Sequence, residues 1–112
     1  MIVGIDFETA SAADLKTVGA WAYSLHPSTR VWCAVYGTTG GLKSWRIGDP
    51  PPSFPAGCTM LAHNCAFEKS IWQNVLTPRY GWPAMPEQWE DTQAHAAAAN
   101  LPVTLEGLGA AL

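Results

Sequence analysis

Apolar and polar positions divide the chain into four extended runs, three helical runs and the turns between them. Met1-Ile2-Val3-Gly4-Ile5-Asp6-Phe7-Glu8-Thr9 begins as an apolar strand and ends on two carboxylates. Side chains at i and i+2 of a strand share a face, so Asp6 and Glu8 stand side by side while Ile5 and Phe7 point into packing. Ala10 to Lys16 is small and polar and reads as a loop, and Val18 to Leu25 fits either a short helical turn or an extended piece. His26-Pro27-Ser28-Thr29 is turn chemistry. Arg30 to Gly37, rich in β-branched and aromatic residues, predicts a second strand. Thr38-Thr39-Gly40-Gly41 predicts a hairpin turn, and Leu42 to Ile47 a third strand that alternates with period two.

Gly48-Asp49-Pro50-Pro51-Pro52-Ser53-Phe54-Pro55 excludes helix and central strand, because proline neither donates to a ladder nor continues a helix. Cys58 to Ala62 is a short buried strand that ends at His63-Asn64. From Cys65 to Leu76 the spacing turns helical, with Phe67, Ile71 and Val75 in one apolar stripe. Pro78 and Gly81 stop that helix, and Pro83 and Pro86 keep the next stretch irregular. Asp91-Thr92 opens a second helix over Gln93 to Asn100, favoured by its alanines, which Pro102 ends. Thr104 to Leu112 begins a third helical pattern and stops without a cap. The order predicts a single, partial domain over residues 1–112. It is a mixed α/β sheet, an antiparallel meander of three strands followed by a strand and helices, C-terminally incomplete.

Composition narrows the function classes. The chain is 48% hydrophobic and 13% charged, so either much of it is buried or part of its surface expects a partner. A net charge of −3 with only six Lys and Arg argues against an autonomous DNA-binding module. It leaves open an enzyme that meets phosphates through metal ions. No apolar run approaches the ~18 residues of a membrane span, and the N-terminus lacks the basic start of a signal peptide, which predicts a cytoplasmic protein. Cys33, Cys58 and Cys65 are odd in number and form no CxxC, so free thiols are expected rather than a disulfide frame or a zinc site.

Two constellations bear chemistry. Asp6 and Glu8 repel each other unless a cation lies between them or one stays protonated, although acids at a strand end are also often simply solvated. The second constellation, His63-Asn64-Cys65-Ala66-Phe67-Glu68, passes from a strand end into a helix. Asn64 and Glu68 lie four apart on one helix face, offset from the apolar stripe, where they can face the strand ends. Asn64 also suits a helix N-cap, and Glu68 an exposed residue near the positive helix end. Together the three acids make an all-oxygen set of the kind that hard divalent ions take. Asp91, before a helical run, reads as a cap rather than a fourth ligand. Trp32, Trp45 and Trp72 are expected in packing, Trp82 and Trp89 partly exposed, and Lys69 and Arg79 solvated.

Ile5-Asp6-Phe7-Glu8-Thr9 resembles the first motif, and His63-Asn64-Cys65-Ala66-Phe67-Glu68 the second, of the DEDD 3′→5′ exonucleases with ribonuclease-H-like fold. More narrowly, Asp14 to Ala20, His26 to Thr29, Ala62 to Glu68 and Leu101 to Glu106 resemble, in order, segments of the N-terminal exonuclease region of bacteriophage-type family A DNA polymerases. The resemblance implies a mixed sheet with a parallel strand added to the meander. It implies that Asp6, Glu8 and Glu68 are catalytic and hold two Mg²⁺ or Mn²⁺ ions, with Glu8 also near the attacking water. Thr9, His63, Asn64 and Phe67 are then expected at the nucleic acid. The implied substrate is the 3′ end of single-stranded DNA, the implied partner the remainder of a polymerase polypeptide, and the implied setting the host cytoplasm of a phage. The family's third motif, Tyr or His followed four positions later by Asp, has no match among the Tyr and His residues of this sequence. Little nuclease activity and weak metal affinity are therefore expected of this chain alone. Two further readings are a non-catalytic ribonuclease-H-like binding module and a nuclease that completes its site by dimerising.

Overall fold

In a computed structural model that describes residues 1–92, the chain runs β1 (Ile2–Ala10), α1 (Leu15–Leu25), β2 (Arg30–Thr38), β3 (Gly41–Arg46), β4 (Thr59–Ala62) and α2 (Cys65–Ile71). A π-helical turn (Trp72–Leu76), α3 (Thr77–Tyr80) and β5 (Gln88–Asp91) follow. The strands form one mixed sheet in the order β3-β2-β1-β4-β5, with β1, β2 and β3 antiparallel and β4 and β5 parallel to β1. This is the mixed α/β sheet that the sequence predicts, with one strand more. The short β5 lacks the usual apolar run: its sequence Gln-Trp-Glu-Asp is polar, because it pairs on one side with β4 and buries little.

Alternation places one face of β1 in the core. Val3, Ile5 and Phe7 are buried, whereas Ile2, Asp6 and Glu8 are exposed on the other face. On β2 the alternation breaks. Glu8 pairs with Cys33 but Thr9 pairs with Val31, so Trp32 is the extra residue of a β-bulge. Two residues opposing one shift the inward phase by one position. Val31 and Ala34, three apart, are therefore both fully buried, while Trp32 is 50% exposed. The expectation that Trp32 is packed fails for this reason.

The helices cover the inward face. α1 is held at its start by Asp14, whose carboxylate accepts from the Lys16 N–H at 3.2 Å and the Thr17 hydroxyl at 2.8 Å. It is broken in the middle by Gly19 at φ 82° and ψ 168°, a conformation open to glycine and strained for other residues. The second helix outlasts Pro78. After the wider π turn, Pro78 falls at the start of α3, where a missing N–H costs least, and Gly81, left-handed at φ 73°, ends the helix. The π turn also keeps Ile71, Trp72, Val75 and Leu76 all fully buried. Trp72 lies edge-on to Trp82 at 5.1 Å, and Trp82 in turn meets Phe7 at 5.8 Å and Trp45 at 5.4 Å. Trp82 is thus 2% exposed, against the partial exposure that its flanking proline suggests. The predicted helices over 93–100 and 104–112 lie outside the described residues. Among the described residues no helix is long and apolar enough to cross a membrane.

Candidate active site at the strand ends

Because β4 runs parallel to β1, both strands deliver their carboxyl ends to the same edge of the molecule. The strands pair Ile2 to Thr59, Val3 to Met60 and Gly4 to Leu61, and two residues beyond that ladder Asp6 and His63 line one cleft. The carboxyl edge of a parallel pair is where open α/β sheets place their ligands. A cleft of about 160 Å³ lies there, lined by Ile5, Asp6, Leu61, Ala62, His63 and Thr92. Nδ1 of His63 is 3.2 Å from the Thr92 hydroxyl, which fixes the ring at the cleft wall.

Glu68, in the first turn of α2, departs from an ordinary helix surface residue. It is 5% exposed, and its Oε2 has no hydrogen-bond partner among the described residues. Burial, and secondarily the negative charge of Asp6, push its carboxyl from 4.5 up to about 8. Glu68 thus lies within electrostatic reach of Asp6, sunk below the surface. Glu8 stands on the exposed face of β1 with Asp6. Among the described residues no group of three or more His, Cys, Asp or Glu is gathered closely enough to hold a metal ion. Cys33, Cys58 and Cys65 are free thiols.

The remaining expected site residues divide. Asn64 is at the N-cap position of α2 but its side chain makes no capping bond. The acceptor comes from the neighbouring strand instead, as Asp91 Oδ2 takes the Cys65 N–H at 3.1 Å. Asp91, read from sequence as the cap of its own following helix, so caps α2 and ties β5 to the site. Phe67 is half-buried against Tyr23, ring centroids 5.9 Å apart. Thr9 points toward α1, its hydroxyl 2.9 Å from that of Tyr23.

Tyr23 is a residue that reasoning from the sequence missed. Its hydroxyl meets Thr9 just past the bulge, and its carbonyl accepts from the Thr29 hydroxyl at 2.6 Å, which lies 2.7 Å from Ser11 Oγ. The His26 to Thr29 turn is pinned in addition by the Arg79 guanidinium, which donates to the carbonyls of Thr29 at 2.5 Å and His26 at 3.4 Å. Arg79, expected in solvent, is thus a structural tie. The signal was present in the ordered segments Asp14 to Ala20 and His26 to Thr29. They supply a cap, a glycine break and a turn, and together these pack the helix carrying Tyr23 against the end of β1.

Over an alignment of 119 residues the chain is 26% identical to a DNA polymerase of Bacillus phage SP02, an overlap that takes in 98% of this chain and 18% of that polymerase. The chain thus spans under a fifth of the length of the curated relative it matches. No protein-family model matches the chain. No solved structure matches it either. The chain is a mixed α/β fold whose sequence is similar, nearly end to end, to a region of a phage DNA polymerase.

Proposed function

We propose that the chain is the N-terminal part of a metal-dependent 3′→5′ exonuclease domain of proofreading type, acting on the 3′-terminal phosphodiester of single-stranded DNA. The observation that carries this reading is Glu68, buried, with no partner for Oε2 among the described residues, and close enough to feel the charge of Asp6 at the carboxyl edge of the sheet. Burying a carboxylate beside another is costly unless a cation compensates it or one of the pair keeps its proton, and a bound cation would release the Glu68 proton. Asp6, Glu8 and Glu68 offer the oxygen ligands that Mg²⁺ or Mn²⁺ prefer. Such an ion, when bound, supplies positive charge to the phosphate and makes a water acidic enough to attack. In this reading Asp6, Glu8 and Glu68 would hold the ion from the strand and the helix, and Glu8, exposed on the same face as Asp6, would also lie near the attacking water. His63 walls the cleft where the terminal nucleotide enters.

Thermal unfolding with and without Mn²⁺ tests the site. At a Mn²⁺ concentration tenfold above its dissociation constant, the wild-type chain gains about 1.4 kcal/mol. Asp6→Asn and Glu68→Gln lose that gain. A gain of equal size in both variants shows that Mn²⁺ binds elsewhere and overturns the proposal. Since no Tyr or His of the sequence has Asp four positions on, cleavage of a labelled single strand by this chain alone is expected to be slow.

A further inference from the structure

Trp32 is a large aromatic side chain that the core leaves out. Had β2 kept strict alternation, Ala34 inward would put Trp32 inward too and Val31 in water. The bulge reverses that, so Trp32 and Cys33 both lie on the open face of the sheet, and Cys33 is the residue paired with Glu8. Trp32 therefore stands beside the acidic end of β1. The Arg30 guanidinium lies 5.1 Å over the Trp32 ring. Arg46 faces Cys33 from β3 and completes the row Glu8, Cys33, Arg46 across three strands. Two of the chain's six Lys and Arg thus flank one exposed indole next to two carboxylates.

We propose that Trp32 and Arg30 form a stacking platform for a base of single-stranded nucleic acid, adjoining the phosphodiester at Asp6 and Glu8. The inference rests on the exonuclease reading given above and adds to it a binding site on β2. An exposed indole accepts a base on the face that the Arg30 guanidinium leaves open, and the guanidinium over its other face adds charge for the backbone. Arg30 and Arg46 offset the repulsion that Asp6 and Glu8 exert on an incoming phosphate. A surface for an apolar helix would surround the indole with apolar neighbours, whereas around Trp32 the exposed Ile47, whose N–H donates to the Trp32 carbonyl at 3.2 Å, is joined by the charged Arg30, Arg46 and Glu8.

The test is fluorescence anisotropy of an end-labelled oligothymidylate with the full chain, in EDTA so that nothing is cleaved. Thermal unfolding alongside establishes that each variant is folded, as expected for a half-exposed position. Trp32→Ala weakens binding about 5- to 100-fold. Trp32→Phe stays nearer wild type because it keeps a flat ring, and equal losses in the two overturn stacking as the mode. Arg30→Ala weakens binding and makes it less dependent on salt. Wild-type affinity in Trp32→Ala overturns the platform and leaves the exonuclease reading standing. A wild-type chain that binds no oligonucleotide in EDTA also overturns the platform, whereas the exonuclease reading stands or falls by the Mn²⁺ experiment.

Discussion

A single carboxyl group gives this molecule its main dependence on pH. Glu68 is held at about 8 in the folded chain against 4.5 for a free carboxyl, so the folded state keeps a proton that the unfolded state releases. Its contribution to stability is fully present below pH 4.5 and is lost progressively as pH rises through 8. The loss reaches at most about 4–5 kcal/mol. Urea unfolding at pH 5 and pH 8.5 is expected to show a fall in wild-type stability, and Glu68→Gln, uncharged at both, to flatten that difference. A wild-type chain as stable at pH 8.5 as at pH 5 contradicts the assignment. At this scale the sequence was half informative. Asp6 and Glu8 were legible because apolar Ile5 and Phe7 alternate with them, which fixes their face without reference to any other element. The burial of Glu68 was not legible, because the sheet edge over its helix decides it, and an exposed glutamate in a first turn reads the same.

Among the elements, α1 shows how backbone conformation substitutes for side-chain packing. Its single glycine break at Gly19 turns the helix so that Tyr23 and Ser24 are buried while Val18 and Trp21 stay exposed. Nothing lies within 4 Å of a Cβ built at Gly19, so the cost of a side chain there is conformational alone. Gly19→Ala is expected to destabilise by about 1–3 kcal/mol in denaturant titration. A neutral result would mean that the break is not held in the folded chain. The sequence left Val18 to Leu25 open between helix and strand because the break disrupts any 3.6-residue period. β5 escaped notice for a different reason: prolines precede it and three of its four residues are polar. Parallel pairing with β4, decided by the chain's return over α2, makes it a strand.

For the molecule as a whole, stability depends on one aromatic cluster beneath the sheet. Trp72 is fully buried, touches Phe54, Trp82 and Trp89, and donates its Nε1–H to the Pro83 carbonyl at 2.9 Å. Trp72→Ala is expected to cost about 3–5 kcal/mol, a large part of the 5–15 kcal/mol typical of a domain. Circular dichroism melting should show the variant unfolding near or below room temperature. Retention of the wild-type melting curve would place the core elsewhere. The sequence predicted Trp45 and Trp72 in packing correctly. It misplaced Trp82 and Trp32, since a flanking proline says nothing of the cover supplied by other strands, and a bulge leaves no local mark.

The bulge can also be counted as an inserted residue. If Trp32 is taken out of the written sequence, Arg30-Val31-Cys33-Ala34 alternates without fault, with Val31 and Ala34 inward and every pairing on either side unchanged. The interior of the protein is therefore indifferent to that one residue. What the insertion changes is confined to the outer face and the last turn of twist at the end of β1. In this fold, a length change of one residue inside a strand alters the surface that meets a ligand while leaving the core as it was.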